Sequence, residues 1–205
     1  RAPLASFNYI IMGSIGACFY LLGVGYLYLM TGTLNMADIA RTLPTIEGGA
    51  AVATALAFIL VGLWIKMAFF PLHGWLPNAY SLAPTGAGIF IAPLMTKVSI
   101  YLMVRVMFSV FSVDYLFLQN PLVRSGLVWA AAIGIICASA MALAQKDLKR
   151  MLTYIIVAEV GYMVGGVWLA NSTGMSGAIL HIVNDALMTL CLFLAVAAIL
   201  YRVGS

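Results

Sequence analysis

The sequence predicts an all-α membrane protein of about six transmembrane helices, one of them broken by proline. Three observations carry this expectation. Apolar side chains make up 64% of the 205 residues and charged ones only 8%, with a mean hydropathy of +1.09. A soluble domain carries about 25% charged residues, so this chain has too little polar surface to stay dispersed in water. Six apolar stretches approach or exceed the roughly 20 residues that cross a hydrocarbon core. They are too long and continuous for the ~10-residue alternating strands of a membrane barrel, which leaves helices to satisfy the backbone in lipid.

Taken in order, the spans are expected at residues 7–30, 50–84, 85–111, 122–144, 151–170 and 176–201. The few residues left over for loops predict one membrane domain over residues 1–205. Between the first two spans, GTLNMADIARTLP reads as a short amphipathic helix with Leu34, Ile39 and Leu43 at the lipid boundary. The second span is interrupted at Phe70-Pro71, because proline removes a donor and clashes with the preceding turn. His73, Trp75 and Asn78 follow it, then Pro77 and Pro84. A broken helix at membrane depth needs protein or a watery cavity around its freed backbone, and transporters use such breaks to build ion sites. The plainer reading is a proline kink with His73 and Trp75 at the interface. Gly161 and Gly165 have the spacing of close helix packing.

Orientation follows the Lys/Arg bias. The loop QKDLKR holds Lys146, Lys149 and Arg150. Placed in the cytoplasm, it brings both chain ends, with Arg1 and Arg202, to the same side. Arg41 and Arg124 then face outward and Arg105 lies near an outer end. The chain opens RAPLASFNY, without an initiator Met, which reads as the interior of a longer protein or a processed end. The net charge of +4 is small and dispersed and gives no nucleic-acid signature. Cys18, Cys137 and Cys191 lie in apolar runs without a paired spacing, and read as small buried hydrophobes. Trp64, Trp75, Trp129 and Trp168 read as packing and interfacial anchors. No phosphate loop, HExxH or catalytic triad order is present, so no cofactor or bond chemistry is expected.

The informative residues are the ionisable ones at membrane depth: Lys66, Lys97, Glu159, His181 and Asp185, with His73 as a sixth. A charge there is costly, by roughly 2.5–3.5 kcal/mol on insertion scales, and by default marks an ion or proton pathway. Lys97 lies mid-span, too deep to snorkel. A lysine whose proton affinity responds to neighbouring charge suits a relay, though it equally locks two helices by pairing with an acid. His181 and Asp185 are four apart and share one helix face, bordered by Asn184 and continued by Thr189. That stripe suits proton transfer or interhelical hydrogen bonding. Glu159 partners Lys97 or Lys66, or carries a proton itself.

The run Lys66-x-x-x-x-Pro71-Leu72-His73-x-Trp75-Leu76-Pro77-x-Ala79, with Ala83-Pro84 after it, resembles the proton-conducting antiporter-like membrane subunits. These occur in respiratory complex I, in Mrp-type sodium/proton antiporters and in membrane-bound hydrogenases. Lys97-Val-Ser-Ile-Tyr101-x-x-x-Arg105, then Gln145-x-Asp147-Leu148-Lys149-Arg150-x-Leu152-x-Tyr154, and His181-x-x-Asn184-x-Ala186 are similar too. FPLHGWLPNAY leans toward the D member of the Mrp-type antiporters. The resemblance covers nearly the whole chain and implies helices six to eleven of a fourteen-helix subunit. Lys66 would be the lysine of the broken seventh helix, normally coupled to a fifth-helix glutamate that this chain does not include. Lys97 would be the eighth-helix lysine linking two half-channels, and His181 would belong to the second. The family's eleventh helix usually reads His-x-x-x-His-x-x-x-Lys; here those places hold His181, Asp185 and Thr189.

Two functions follow as expectations. In the first, Lys66, Lys97, His181, Asp185, Glu159 and His73 translocate protons, or exchange them for Na+, inside a larger complex in a prokaryotic plasma membrane. The partners would be other membrane subunits and lipid, with no cofactor and no nucleic acid. In the second, the chain is a structural subunit of the same fold whose pathway is partly lost, as Thr189 suggests.

Overall fold

The computed structural model describes residues 2–46, 49–111, 114–118 and 121–203. Arg1, counted above with the inward-facing basic residues, lies outside them. Among the described residues the elements are α1 (Ala2–Thr31), α2 (Met36–Thr42), α3 (Gly49–Met67), α4 (Leu76–Leu82), α5 (Thr85–Val110), α6 (Pro121–Leu143), α7 (Leu148–Trp168) and α8 (Ser172–Val203), with no strand. Six of them, α1, α3, α5, α6, α7 and α8, are long and apolar enough to cross a membrane. The chain is therefore a multi-pass, all-helical membrane protein; five expected spans each lie on one of these helices, and the second is divided between α3 and α4.

Turn chemistry sets the boundaries. Asn35 caps α2 by accepting from the Ala37 N–H at 3.0 Å. Asp147 caps α7 by accepting from the Lys149 and Arg150 N–H groups at 2.8 and 3.2 Å. Ile39 of α2 turns inward and is buried while Leu34 is exposed. The amphipathic helix thus packs on the bundle with the residue expected at the lipid boundary. Cys18 and Cys191 are exposed and Cys137 is half-buried, so within this chain they lie on outward faces rather than in the core. A continuous apolar run does not tell which face a small side chain takes.

The second span breaks three residues earlier than the proline suggests. The ring of Pro71 would strike the carbonyl of residue i−4, Met67, and the residue before a proline is pushed out of the helical region. Accordingly α3 ends at Met67. Ala68 adopts φ +59°, its N–H bonds to Ile65 O at 3.3 Å, and the Phe69 N–H bonds to Trp64 O at 2.9 Å. This is a Schellman end built on alanine instead of glycine. Residues 68–75 form turns, and α4 restarts with Pro77 in its first turn, where a missing N–H costs nothing. Ala83, held extended before Pro84, ends it.

α7 is the most enclosed span and packs between α6 and α8, while α8 also lies on α5 and α1 lies on α3. Two glycine contacts set these spacings. A Cβ on Gly62 of α3 would meet the Gly16 carbonyl of α1 at 2.6 Å, and one on Gly161 of α7 would meet Ile135 of α6 at 2.7 Å. Gly161 thus serves the close packing its spacing predicts.

Candidate functional site

The ionisable residues fall into one tight cluster and three separate stations. The cluster joins α5, α7 and α8. Lys97 of α5 is 4% exposed and Asp185 of α8 is fully buried. Lys97 Nζ lies 3.0 Å from Asp185 Oδ2 and donates to Thr189 Oγ1 at 3.3 Å. The Thr189 hydroxyl in turn donates to Asp185 Oδ1 at 2.8 Å. Glu159 of α7, 7% exposed, brings its carboxyl beside Asp185 and within electrostatic range of Lys97. Glu159 is therefore placed at Lys97 and not at Lys66.

Helix geometry explains the meeting. Asp185 and Thr189 are one turn apart on α8 and lie on one face. Lys97 reaches across from α5, one turn after Pro93, which lies inside that helix and leaves the Ile89 carbonyl without its usual partner. Thr96, beside Lys97, is fully buried, and its hydroxyl has no partner among the described residues.

Lys66 is the first of the separate stations. It lies in the last turn of α3, half-buried, and its Nζ is 3.4 Å from where a Cβ on Gly13 of α1 would be. A cavity of about 320 Å³ opens beside it, lined by Tyr9, Ser14, Trp75, Met95 and Ser99 among others. Trp75 holds the broken end in place: its indole N–H donates to the Ile65 carbonyl at 2.9 Å, and its ring packs on Tyr9 and Tyr80. Trp75 is thus a buried helix cap, not an interfacial anchor; only the end of α3 in space reveals this. Ser99 and Lys97 are two residues apart on α5, hence on nearly opposite faces. The helix separates the Lys66 cavity from the Lys97 cluster.

His73 is the second. It is buried in the 68–75 turns, stacked on Phe70 at 5.3 Å and edge-on to Tyr154 of α7 at 6.4 Å. A simple kink would have left it at the interface; the turns fold it inward. His181 is the third. It shares a helix face with Asp185 in sequence, yet it is only half-buried, with its ring edge-on to Tyr162 at 6.0 Å. It lines an open cavity with Tyr162, Gly166 and Ala178. Asn184 is exposed, with its amide near Met188 Sδ at 3.5 Å, so it does not extend the polar face. Thr189, which reads in the sequence as a lost lysine, closes the ring between Lys97 and Asp185.

A polytopic helix bundle with a lysine–acid cluster at its centre and a lysine at a broken helix end defines the class of this protein. The chain belongs to the NADH:quinone oxidoreductase/Mrp antiporter transmembrane family, whose pattern matches residues 1–205. It is 47% identical over 204 residues to the N subunit of the NADH-quinone oxidoreductase of Desulforudis audaxviator, an alignment covering all of this chain and 40% of that protein. It is 32% identical over 195 residues to the D subunit of the Na(+)/H(+) antiporter of Alkalihalophilus pseudofirmus, covering 94% of this chain and 38% of that protein. Among solved structures, the Mrp complex from Dietzia superposes with a TM-score of 0.84 at 29% identity, over 96% of this chain and 35% of that one. The archaeal membrane-bound sulfane sulfur reductase gives 0.86 at 31%, over 97% and 40%. The chain thus spans about 40% of the length of the relatives it matches.

Proposed function

We propose that this chain is the central section of a subunit that moves protons, or exchanges them for another monovalent cation, across a membrane within a larger complex. The observation that carries this reading is the Lys97–Asp185 ion pair, buried across two spans with Glu159 beside it. Replacing a buried pair by apolar residues is often neutral or stabilising, so stability alone does not account for it. Ionisable groups at this depth mark ion paths by default.

In this reading Lys66 takes up a proton in the cavity it shares with Tyr9 and Ser99, and releases it when an acid outside this chain moves. Lys97 receives charge on the far side of α5 and alternates between pairing with Asp185 and passing its proton on. Asp185 and Glu159 fill the role that basic residues hold in the family's second half-channel, and His181 lies further along α8. His73 links the broken segment to α7 through Tyr154. The partners are other membrane subunits of an Mrp-type or complex I-like assembly. The setting is a prokaryotic plasma membrane, with the 145–147 loop and both chain ends in the cytoplasm.

The test is Lys66→Ala and Lys97→Ala in the full complex, with proton movement followed by a pH-sensitive dye in sealed vesicles. Each variant is expected to reduce transport to background while the complex still assembles on a native gel. Wild-type transport in both removes the reading. One feature favours the structural alternative: Thr189 closes the ring around Lys97 and Asp185, as a helix lock would. Under that alternative the complex that survives Lys97→Ala transports normally.

A further inference from the structure

A groove along α3 has the dimensions of a single hydrocarbon chain. Its inner side is formed by Leu60, Leu116 and Trp168, all buried. Ala53 and Ala57, one turn apart on one face of α3, are exposed and line it with side chains too short to fill it. Trp64 lines its far end, with its ring 5.5 Å from Phe69. From Ala53 to Trp64 the helix axis advances about 16 Å. The space holds about 270 Å³. Spread over that length it is about 4 Å wide, close to one carbon–carbon contact distance. A helix with its side chains is about 10–12 Å across and stays outside. A polymethylene chain enters: with C–C bonds of about 1.5 Å, roughly a dozen methylenes in extended zigzag run from one end to the other.

Polar groups gather at the end where α3 begins. Tyr115 donates to the Gly49 carbonyl there, and Phe117, two residues on, lies edge-on to Trp168 at 5.5 Å. Trp168 is 1% exposed, and its indole N–H has no acceptor among the described residues. A buried indole N–H usually finds a partner. A water in its place would need two to four polar contacts, which this mostly apolar lining does not offer. On α6, Val123 and Leu127 line the same groove. Arg124, between them in the first turn of that helix, is half-buried and makes no ion pair among the described residues.

We propose that this groove holds one acyl chain of a membrane phospholipid, with the ester carbonyl accepting from the Trp168 indole and the phosphate at Arg124. The chain by itself gains little by leaving bulk lipid, since lipid tails are as apolar as the groove. Selectivity comes from the two polar contacts: an indole–carbonyl bond where water does not compete, and a charge-assisted guanidinium–phosphate bond. The inference stands apart from the transport reading, because these residues belong neither to the Lys66 cavity nor to the Lys97 cluster.

The experiment uses the full-length subunit in its native complex, reconstituted in phosphatidylethanolamine and phosphatidylglycerol vesicles doped with a phospholipid that carries a diazirine in mid-chain. After illumination, the labelled residues are read by peptide mass spectrometry. Label is expected at Ala57 and Leu127. A diazirine alkane of the same length, which has neither ester nor phosphate, is expected to label them at least fivefold less. Ala57→Phe fills the groove and should reduce label at Leu127 about tenfold. Trp168→Phe keeps most of the ring and deletes the donor, and should reduce it about fivefold; Arg124→Gln should reduce it similarly. If Ala57→Phe fails to assemble, the Trp168→Phe and Arg124→Gln losses carry the test. Equal labelling by the alkane, or labelling that Trp168→Phe and Arg124→Gln leave unchanged, overturns the proposal and leaves only bulk lipid brushing the surface. Absence of label at both positions overturns it as well, because another part of the complex then covers the groove.

Discussion

At the scale of single residues, the lysine–acid pair separates binding from stability. Removing one partner of a buried ion pair strands the other and costs about 3–5 kcal/mol, whereas removing both for apolar groups is often neutral. Asp185→Leu should therefore lower the unfolding midpoint of the purified complex sharply. The double variant Lys97→Met with Asp185→Leu should recover most of that loss, yet still fail to transport. A double variant that transports would show that the pair is a lock and nothing more. Lys97 and Asp185 were legible from sequence because a charge inside an apolar run has so few explanations. Their pairing was not. Helix periodicity places Asp185 and Thr189 on one face of α8, but it does not say which span lies opposite. Glu159 had two candidate partners for the same reason. Thr189 was legible as the continuation of that polar face, but its bond to Lys97 was not, because the sequence does not say which helix lies opposite.

At the scale of elements, the break between α3 and α4 is the feature on which Lys66 depends. The sequence announces a break through Pro71, but its position follows from the ring's reach back to Met67, and the αL residue is Ala68. Nothing in the sequence singles out that alanine. Trp75 completes the end by donating to the Ile65 carbonyl, one residue before Lys66. Trp75→Phe keeps most of the ring packing and deletes that bond while the Ala68 N–H still donates to the same carbonyl, so a loss of about 0.5–1.5 kcal/mol is expected. Because the loosened helix end carries Lys66, transport should fall more than assembly does, with proton flux and native-gel yield read on the same preparations. Equal losses in both would mean that Trp75 supports the fold without setting the position of Lys66. The α1–α3 contact is stricter. Gly62→Ala puts a methyl group 2.6 Å from the Gly16 carbonyl. Overpacking of this kind typically costs about 1–3 kcal/mol, seen as a lower unfolding temperature.

At the scale of the whole molecule, the alternation of the spans is fixed by two long-range contacts. Lys149 at the start of α7 donates to the Ala83 carbonyl at the end of α4, so the 145–147 loop and the α4–α5 turn lie at one end of the bundle. Tyr115 donates to the Gly49 carbonyl at the start of α3, which puts the short π-helical segment 114–118 at the other. Six crossings then return the chain to the side from which it started. In the proposed orientation the end that gathers Lys146, Lys149, Arg150 and Arg202 is the cytoplasmic one and the end with Arg41 and Arg124 lies opposite, as positive charge favours the cytoplasm. Three native cysteines complicate labelling, but they lie on outward faces or partly so, and Cys→Ala at Cys18, Cys137 and Cys191 should leave the core unchanged. On that background Lys146→Cys should react with a membrane-impermeant maleimide only from the cytoplasmic side, and Arg41→Cys only from the opposite side. Reaction of both from one side would break the alternation itself. The reverse assignment would keep the bundle and invert the direction in which Lys66 and the Lys97 cluster meet the two aqueous phases.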